Sequence, residues 1–177
     1  MRRPDSNRVR RSDPNSYATR EDFINVFSDD RNELYHLSLL LTGDHKKAEK
    51  CFVAGIENCV RQSRVFKEWA RTWAKRIIVE NAIRELKPHP SLRSSSSVAT
   101  VFSHRVVLSD PGGHFDVNAV LGLGDFERFV FVMSVLEHHS HHECALLLGC
   151  SVSEIREGRL HALEQLATSG QAVSFAL

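Results

Sequence analysis

Apolar residues recur at helical spacing along most of this chain of 177 residues. In the first half, the pattern predicts helices that begin near Arg20 and then cover residues 32–41, 45–61 and 65–86. In the second half, it predicts four shorter helices over residues 116–121, 125–136, 140–148 and 151 to about 166. The expected fold class is therefore all-α.

Glycine and proline mark where the helices of the first half end. Gly43 stops the helix over residues 32–41, and Asp44 is placed to cap the helix that follows. Pro88 and Pro90 end the last helix of this half, because a proline ring clashes with the preceding turn and offers no backbone N–H.

The stretch from Glu137 to Ser151 (EHHSHHECALLLGCS) is typical of a helix-turn-helix. Ala145 is small enough to pack close to a neighbouring helix, and Gly149 can adopt a positive φ in the turn. Ser151 can then cap the second helix through its hydroxyl group.

We expect two helical domains joined by a flexible linker. The first domain covers residues 20–87, and the second, which contains the helix-turn-helix, covers residues 116–168. The linker, residues 88–115, is rich in Pro, Ser and Gly and leaves the relative position of the two domains free. Residues 1–19 carry five arginines and form a disordered basic arm, and residues 169–177 are an unassigned tail.

Charge is distributed unevenly, although the net charge of +1 does not itself indicate a nucleic-acid-binding protein. Between residues 120 and 166, seven acidic residues outnumber three arginines. Between residues 61 and 76, six basic residues accompany a single acid, Glu68. The six are Arg61, Arg64, Lys67, Arg71, Lys75 and Arg76. Such a stretch can neutralise phosphates and is a candidate nucleic-acid contact.

Three aromatic residues accompany these basic side chains. Phe66, Trp69 and Trp73 offer faces on which unpaired bases can stack. The alternative is a structural role, because Trp69, Trp73 and Ile77 repeat at the four-residue spacing of a helix face that packs on a core. The spacing favours the core for both tryptophans, while the basic residues fall largely on other faces.

Several classes of function have no support in the sequence. A phosphate-binding loop, an HExxH motif and a glycine-framed serine nucleophile are all missing, so we expect no enzyme activity, cofactor or small-molecule substrate. Apolar runs stay well short of the roughly 20 residues that span a bilayer, and the basic N-terminus lacks the apolar core of a signal peptide. A cytoplasmic protein without a membrane partner is expected by elimination.

The four cysteines, Cys51, Cys59, Cys144 and Cys150, lie within apolar helical patterns and lack a C-x-x-C spacing. Buried free thiols in a reducing compartment are therefore favoured over disulfides or metal ligands.

Two sets of segments resemble a known family. Residues 34–44 (LYHLSLLLTGD), Ala48 with Glu49, and residues 73–86 (WAKRIIVENAIREL) resemble the promoter-melting domain of a bacterial RNA polymerase sigma factor. The extracytoplasmic-function class is the most similar. Residues 126–133 (FERFVFVM), 140–151 and Ala162 resemble the second domain of that class. The two predicted domains that contain these segments cover roughly two-thirds of the chain, in the order of the family.

The resemblance implies a region 2-like three-helix domain and a region 4-like helix-turn-helix domain. It also implies a transcription initiation factor that binds core RNA polymerase and promoter DNA, with an anti-sigma protein as a further candidate partner. Polymerase contacts would come from Glu49, Phe52, Val53 and Ile56. Contacts near the −10 element would come from Arg64, Lys67, Arg71, Lys75 and Arg76, and those at the −35 element from Ser153, Arg156 and Arg159.

The first domain departs from the family in two places. Val53 and Ala54 replace a polar Gln-Glu pair in the polymerase-binding helix, so packing must replace polar contacts there. Glu80 replaces an asparagine in the promoter-melting helix and brings negative charge near the implied DNA path.

The recognition helix departs further. Glu154 and Glu157 stand among positions that are usually basic and would repel phosphate, although a glutamate can accept a hydrogen bond from cytosine. Gly158 costs about 1 kcal/mol relative to alanine inside a helix.

A histidine cluster, His138, His139, His141 and His142, lies at the start of the helix-turn-helix, where the family has variable surface residues. Histidine and cysteine are zinc ligands, but the position favours a surface cluster, and we expect no metal.

Two hypotheses therefore stand. One is a sigma-like initiation factor, and the other is a sigma-derived protein-interaction module that keeps the fold but has lost promoter recognition. The acidic second domain and the Val53 and Ala54 departure motivate the second hypothesis.

Overall fold

The computed structural model describes residues 17–61, 64–90 and 116–174, with side chains described as far as Ser169. This part of the chain is helical apart from one isolated β-bridge between Tyr17 and Phe66, so the all-α prediction is confirmed. The predicted arm as far as residue 16, the linker from residue 91 to 115, and residues 175–177 lie outside the described residues.

The first half contains four α-helices and one 3₁₀ turn. They are α1 (Arg20–Asp29), α2 (Arg31–Thr42), α3 (His45–Arg61), the 3₁₀ turn Lys67–Trp69 and α4 (Ala70–Leu86). The apolar pattern predicted these four helices, and they correct the three-helix domain that the resemblance implies. The additional break falls at Asp30, which ends α1 and begins α2.

The second half contains four more α-helices. They are α5 (Val117–Leu121), α6 (Asp125–Phe131), α7 (His141–Leu148) and α8 (Val152–Ser174). Residues Val132–Leu136 continue α6 as a π-helical turn. All four helices were predicted, but α8 runs eight residues beyond the predicted end at Leu166.

Local caps fix most of these boundaries. Thr19 and Asp22 form a capping box at α1, in which each side chain accepts a hydrogen bond from the other residue's backbone N–H. Gly43 ends α2 with a φ of 68°, and Asp44 accepts from the N–H of Lys47 at 2.9 Å. The predicted roles of Gly43 and Asp44 are thereby confirmed.

Close approach of helices requires glycine at two buried positions. A Cβ atom on Gly55 would lie 3.2 Å from Ile78 Cγ1, so α3 packs tightly on α4. A Cβ atom on Gly158 would lie only 2.8 Å from Phe126 Cε1, so α8 packs even more closely on α6. The helix-propensity cost expected at Gly158 is therefore offset by a packing requirement that the sequence did not reveal.

The two halves pack against each other, with α2 in contact with α5, α6 and the π-helical turn. Arg128 on α6 is 5% exposed and reaches the C-terminal end of α2. Its Nε donates to the carbonyl of Leu41 at 3.2 Å, and its Nη2 donates to that of Thr42 at 3.4 Å. Buried residues of both halves form one continuous apolar cluster. The relative position of the halves, which the linker alone leaves free, is thus fixed by packing.

Candidate nucleic-acid interface

Three aromatic side chains form an exposed group, here called the aromatic cluster: Tyr17, Phe66 and Trp69. The rings of Tyr17 and Phe66 stack with centroids 5.1 Å apart, and Trp69 meets Phe66 edge-on at 5.9 Å. The β-bridge between Tyr17 and Phe66 holds the group, and the N–H of Ala18 donates to the carbonyl of Val65 at 2.7 Å. The exposed rings of Tyr17 and Trp69 suit stacking of unpaired bases.

The expectation that Trp69 belongs to the core is wrong, because its side chain is 61% exposed. Trp69 lies in the 3₁₀ turn, which has three residues per turn, so the four-residue spacing with α4 does not continue through it. Ile77 is buried as expected, and Trp73 is half-buried. No pattern in the sequence indicated a role for Tyr17, which lies within the predicted basic arm.

Four of the five basic residues predicted near the −10 element form ion pairs within the chain. Lys67 pairs with Asp22 at 2.7 Å, and Arg71 pairs with Asp30 at 2.9 Å and also with Glu33. The remaining pairs are Lys75 with Glu33 at 2.7 Å and with Glu137 at 2.9 Å, and Arg76 with Glu80 at 3.0 Å.

Most of these carboxylates lie far from the basic stretch in sequence, on α1, α2 and the second half of the chain. The stretch itself therefore gives no indication that its charges are paired. Arg64 is exposed and, among the described residues, forms no ion pair. It is therefore the member of the predicted set that is most available to phosphate. The predicted DNA contacts of the other four require exchange of a carboxylate for a phosphate.

Lys75 lies between two carboxylates at the centre of this network. Burial on its own would lower the pKa of Lys75, but the hydrogen bonds from its ammonium group to Glu33 and Glu137 raise that pKa above its usual value. The same hydrogen bond from Lys75 holds the pKa of Glu33 below its usual value. Both groups therefore stay charged at neutral pH.

Arg76 extends the charged surface of α4. Its guanidinium group lies 5.9 Å from the centroid of the Trp73 ring, within cation–π distance. The indole Nε1 of Trp73 is buried and, among the described residues, has no hydrogen-bond partner.

The helix-turn-helix is formed by α7 and α8, and each helix begins with a capping box. Ser140 and Glu143 cap α7, and Ser151 and Glu154 cap α8 in the same reciprocal way. Gly149 has a φ of 66° in the turn between them. The predicted turn and the predicted cap at Ser151 are confirmed, and the carboxylate of Glu154, expected near DNA, is held by Ser151.

Ser153, Arg156 and Arg159 do not share one environment on α8. Ser153 and Arg156 are exposed, and Arg156 forms no ion pair with any described residue. Arg159 is half-buried, and its Nη1 donates to His141 Nε2 at 3.2 Å. The opposite face of α8, with Ile155, Gly158 and Ala162, is buried. Arg156 is thus placed to reach a phosphate or base edge, whereas Arg159 connects α8 to α7.

The histidine cluster is split by this arrangement. His141 contacts Arg159, His139 lies 4.0 Å from Glu143, and His142 is exposed. Within the described ranges, no three His, Cys, Asp or Glu side chains come together as a metal site would require.

The predicted polymerase contacts lie on α3. Glu49 is exposed and Val53 is 47% exposed. Phe52 and Ile56 are half-buried and pack on the core, with the Phe52 ring edge-on to Phe27 at 5.5 Å. Val53 is therefore an exposed apolar residue on α3.

All four cysteines are free, as predicted, and Cys51, Cys59 and Cys144 are buried. Burial raises the pKa of the Cys59 thiol to about 12 and that of Cys144 to about 11. Cys150 is only partly buried. The buried thiols are therefore protonated packing groups at neutral pH.

Along the described ranges, no helix combines the length and apolar character needed to cross a membrane. No protein-family model matches the sequence, and no curated protein matches it either.

Proposed function

We propose that this protein is a sigma-like transcription initiation factor that binds core RNA polymerase and directs it to promoter DNA. The observation that carries the proposal is the capped helix-turn-helix, whose second helix buries Ile155 and Gly158 and leaves Arg156 exposed and unpaired among the described residues. A helix with one face packed on the core and the opposite face exposed to solvent has the geometry that a major-groove contact needs.

The aromatic cluster supports a second DNA contact in the first half of the chain. Stacking of bases on aromatic rings contributes about 1–3 kcal/mol per base. Trp69 is the most exposed ring of the cluster, and the exposed Arg64 lies close by in sequence. Together they suit the unpaired strand of an opened −10 element, next to a phosphate.

The α3 surface supports polymerase binding. Val53 is exposed while its neighbours Phe52 and Ile56 anchor the helix to the core, so a partner can cover Val53 without disturbing the fold. Solvent-exposed apolar residues on a rigid helix are common features of protein interfaces.

The first test combines co-purification with core RNA polymerase and transcription in vitro. Val53→Glu should abolish both, because it puts a charge at the centre of the contact. Ile24→Glu is the matched control, since it introduces the same charge at another exposed apolar residue, 42% exposed on α1. Transcripts that begin at defined promoters with the wild-type protein and with Ile24→Glu are expected. The proposal is refuted if core RNA polymerase neither co-purifies with the folded wild-type protein nor starts transcription at promoters in its presence.

A second candidate function is a protein-interaction module without promoter recognition. The observation that favours it is the internal pairing of Lys67, Arg71, Lys75 and Arg76, which uses the charges that would otherwise meet phosphate. This candidate predicts that the chain binds a protein partner and shows no salt-dependent binding to DNA. DNA binding that weakens steeply as salt rises would exclude this candidate, provided that Arg156→Ala reduces the salt dependence. Arg31→Ala, at the first residue of α2, is the control and should leave it unchanged.

A further inference from the structure

The contact between the two halves covers part of the surface to which DNA contact was assigned. Glu137 follows the π-helical turn and accepts a hydrogen bond from Lys75 Nζ on α4 at 2.9 Å. Only 18% of the Glu137 side chain and 27% of the Lys75 side chain are exposed. A carboxylate of the second half, together with that of Glu33 at 2.7 Å, therefore occupies the space beside Lys75 that a phosphate would need.

Local structure places Glu137 there. In the π-helical turn, the N–H of Glu137 donates to the carbonyl of Val132 at 2.9 Å. The N–H of His139 likewise donates to Met133, whose side chain is fully buried. The widened last turn of α6 is thus fixed to the core, and it projects the carboxylate towards α4.

Among the described residues, the ion pair between Glu137 and Lys75 is the one that joins the second half to the basic residues of α4, because Arg76 pairs with Glu80 on its own helix at 3.0 Å.

Arg128 holds the same interface together a short distance away. It donates hydrogen bonds to the carbonyls of Leu41 and Thr42 and is buried, as described above. The same guanidinium group also donates to the carbonyl of Leu123, within its own half, at 2.9 Å. The position of Glu137 is therefore set by a packed interface and does not depend on the ion pair alone.

We propose that the second half is an intramolecular competitor of nucleic acid, in which Glu137 shares Lys75 with Glu33 and must be displaced before Lys75 can contact DNA. This inference rests on the proposed function, because it identifies what the covered lysine binds. It assigns an autoinhibitory role to Glu137, which direct DNA contact does not explain.

The test compares Glu137→Gln with Glu164→Gln in the full chain. Both changes remove one negative charge from the second half, but Glu164 is exposed on α8 and no described side chain forms an ion pair with it. Binding of a fluorescent single-stranded DNA oligonucleotide is measured by anisotropy at low salt. We expect Glu137→Gln to bind about fivefold more tightly than wild type, a typical size for coupling between two sites, and Glu164→Gln to bind as wild type does.

A second measurement follows the contact itself. A carbodiimide should join Lys75 to Glu137 directly, because the ammonium and carboxylate are already in contact, and mass spectrometry identifies the linked peptides. Added oligonucleotide should lower the yield of this link without changing that between Lys50 and Glu85, whose charged groups lie 2.7 Å apart on α3 and α4.

The outcomes separate the two proposals. If wild type binds DNA but Glu137→Gln and Glu164→Gln do not differ, autoinhibition is refuted and the proposed function stands. An unchanged Lys75–Glu137 link in saturating DNA also refutes autoinhibition. If no variant binds DNA, although circular dichroism shows each to be folded, autoinhibition of DNA binding is refuted, and the proposed function is decided by the transcription test with core RNA polymerase.

Discussion

At the scale of single residues, the environments of Gly158 and Trp69 depend on structure that their sequence spacing does not describe. Gly158 looks unfavourable in a helix, yet Phe126 leaves no room for a Cβ atom. Trp69 looks like a core residue by its spacing, yet the 3₁₀ turn exposes it. Sequence spacing describes one helix at a time, so it cannot report the partner that decides either case.

Gly158→Ala should lower the free energy of unfolding, although alanine has the higher helix propensity. Propensity favours alanine by about 1 kcal/mol, but overpacking against the buried Phe126 ring costs about 1–3 kcal/mol. Urea unfolding should show a net loss of about 1 kcal/mol. The same change in a Phe126→Leu background should be neutral or stabilising, because the contact at 2.8 Å is removed. A stabilised single variant would contradict this account.

At the scale of helices and turns, the sequence was a good guide because the signals are local. The ends at His45, Leu86, Leu121 and Leu148 were predicted, because Gly, Pro or Asp lies within a few residues of each. The π-helical turn after Phe131 was not predicted. The ion pairs of α4 with Asp30, Glu33 and Glu137 were not predicted either, because these partners lie tens of positions away along the chain.

Ser151→Ala should destabilise α8 at its first turn. The hydroxyl group accepts from the N–H of Glu154 at 3.2 Å, and loss of such a cap costs about 1 kcal/mol. The expected result is a lower urea midpoint with an unchanged slope. Ser153→Ala is the control, because that hydroxyl lies exposed beyond the cap. Equal effects of the two substitutions would show that the cap does not stabilise the helix.

At the scale of the whole molecule, one apolar core extends across both halves of the chain. The sequence predicted two domains on a free linker, because the charge and composition of each half look independent. The side chain that joins them is an arginine that donates to backbone carbonyls 86 and 87 residues away, while its other partners, Leu123 and Asp125, lie in its own half. Carbonyl groups carry no sequence signal, so this interface could not be predicted.

Arg128→Met should loosen the two halves. The substitution keeps an unbranched side chain but leaves the carbonyls of Leu41, Thr42 and Leu123 without their donor and the Asp125 carboxylate without its partner. We expect a loss of about 3 kcal/mol in the free energy of unfolding and a larger radius of gyration by small-angle X-ray scattering. Arg156→Met, at an exposed arginine, should change neither quantity. Unchanged scattering and stability for Arg128→Met would contradict the role assigned to this residue.

The bond between Arg128 and α2 also has a consequence in time. Leu41 leaves the ribosome's catalytic centre 87 residues before Arg128 is added. At a typical synthesis rate of 5–20 residues per second, roughly 4–17 seconds pass between the addition of Leu41 and that of its hydrogen-bond donor, Arg128. A nascent chain stalled before Arg128 should therefore exchange amide hydrogens near the end of α2 faster than the released protein. The first half of the molecule reaches its final form only after synthesis of the second is well advanced.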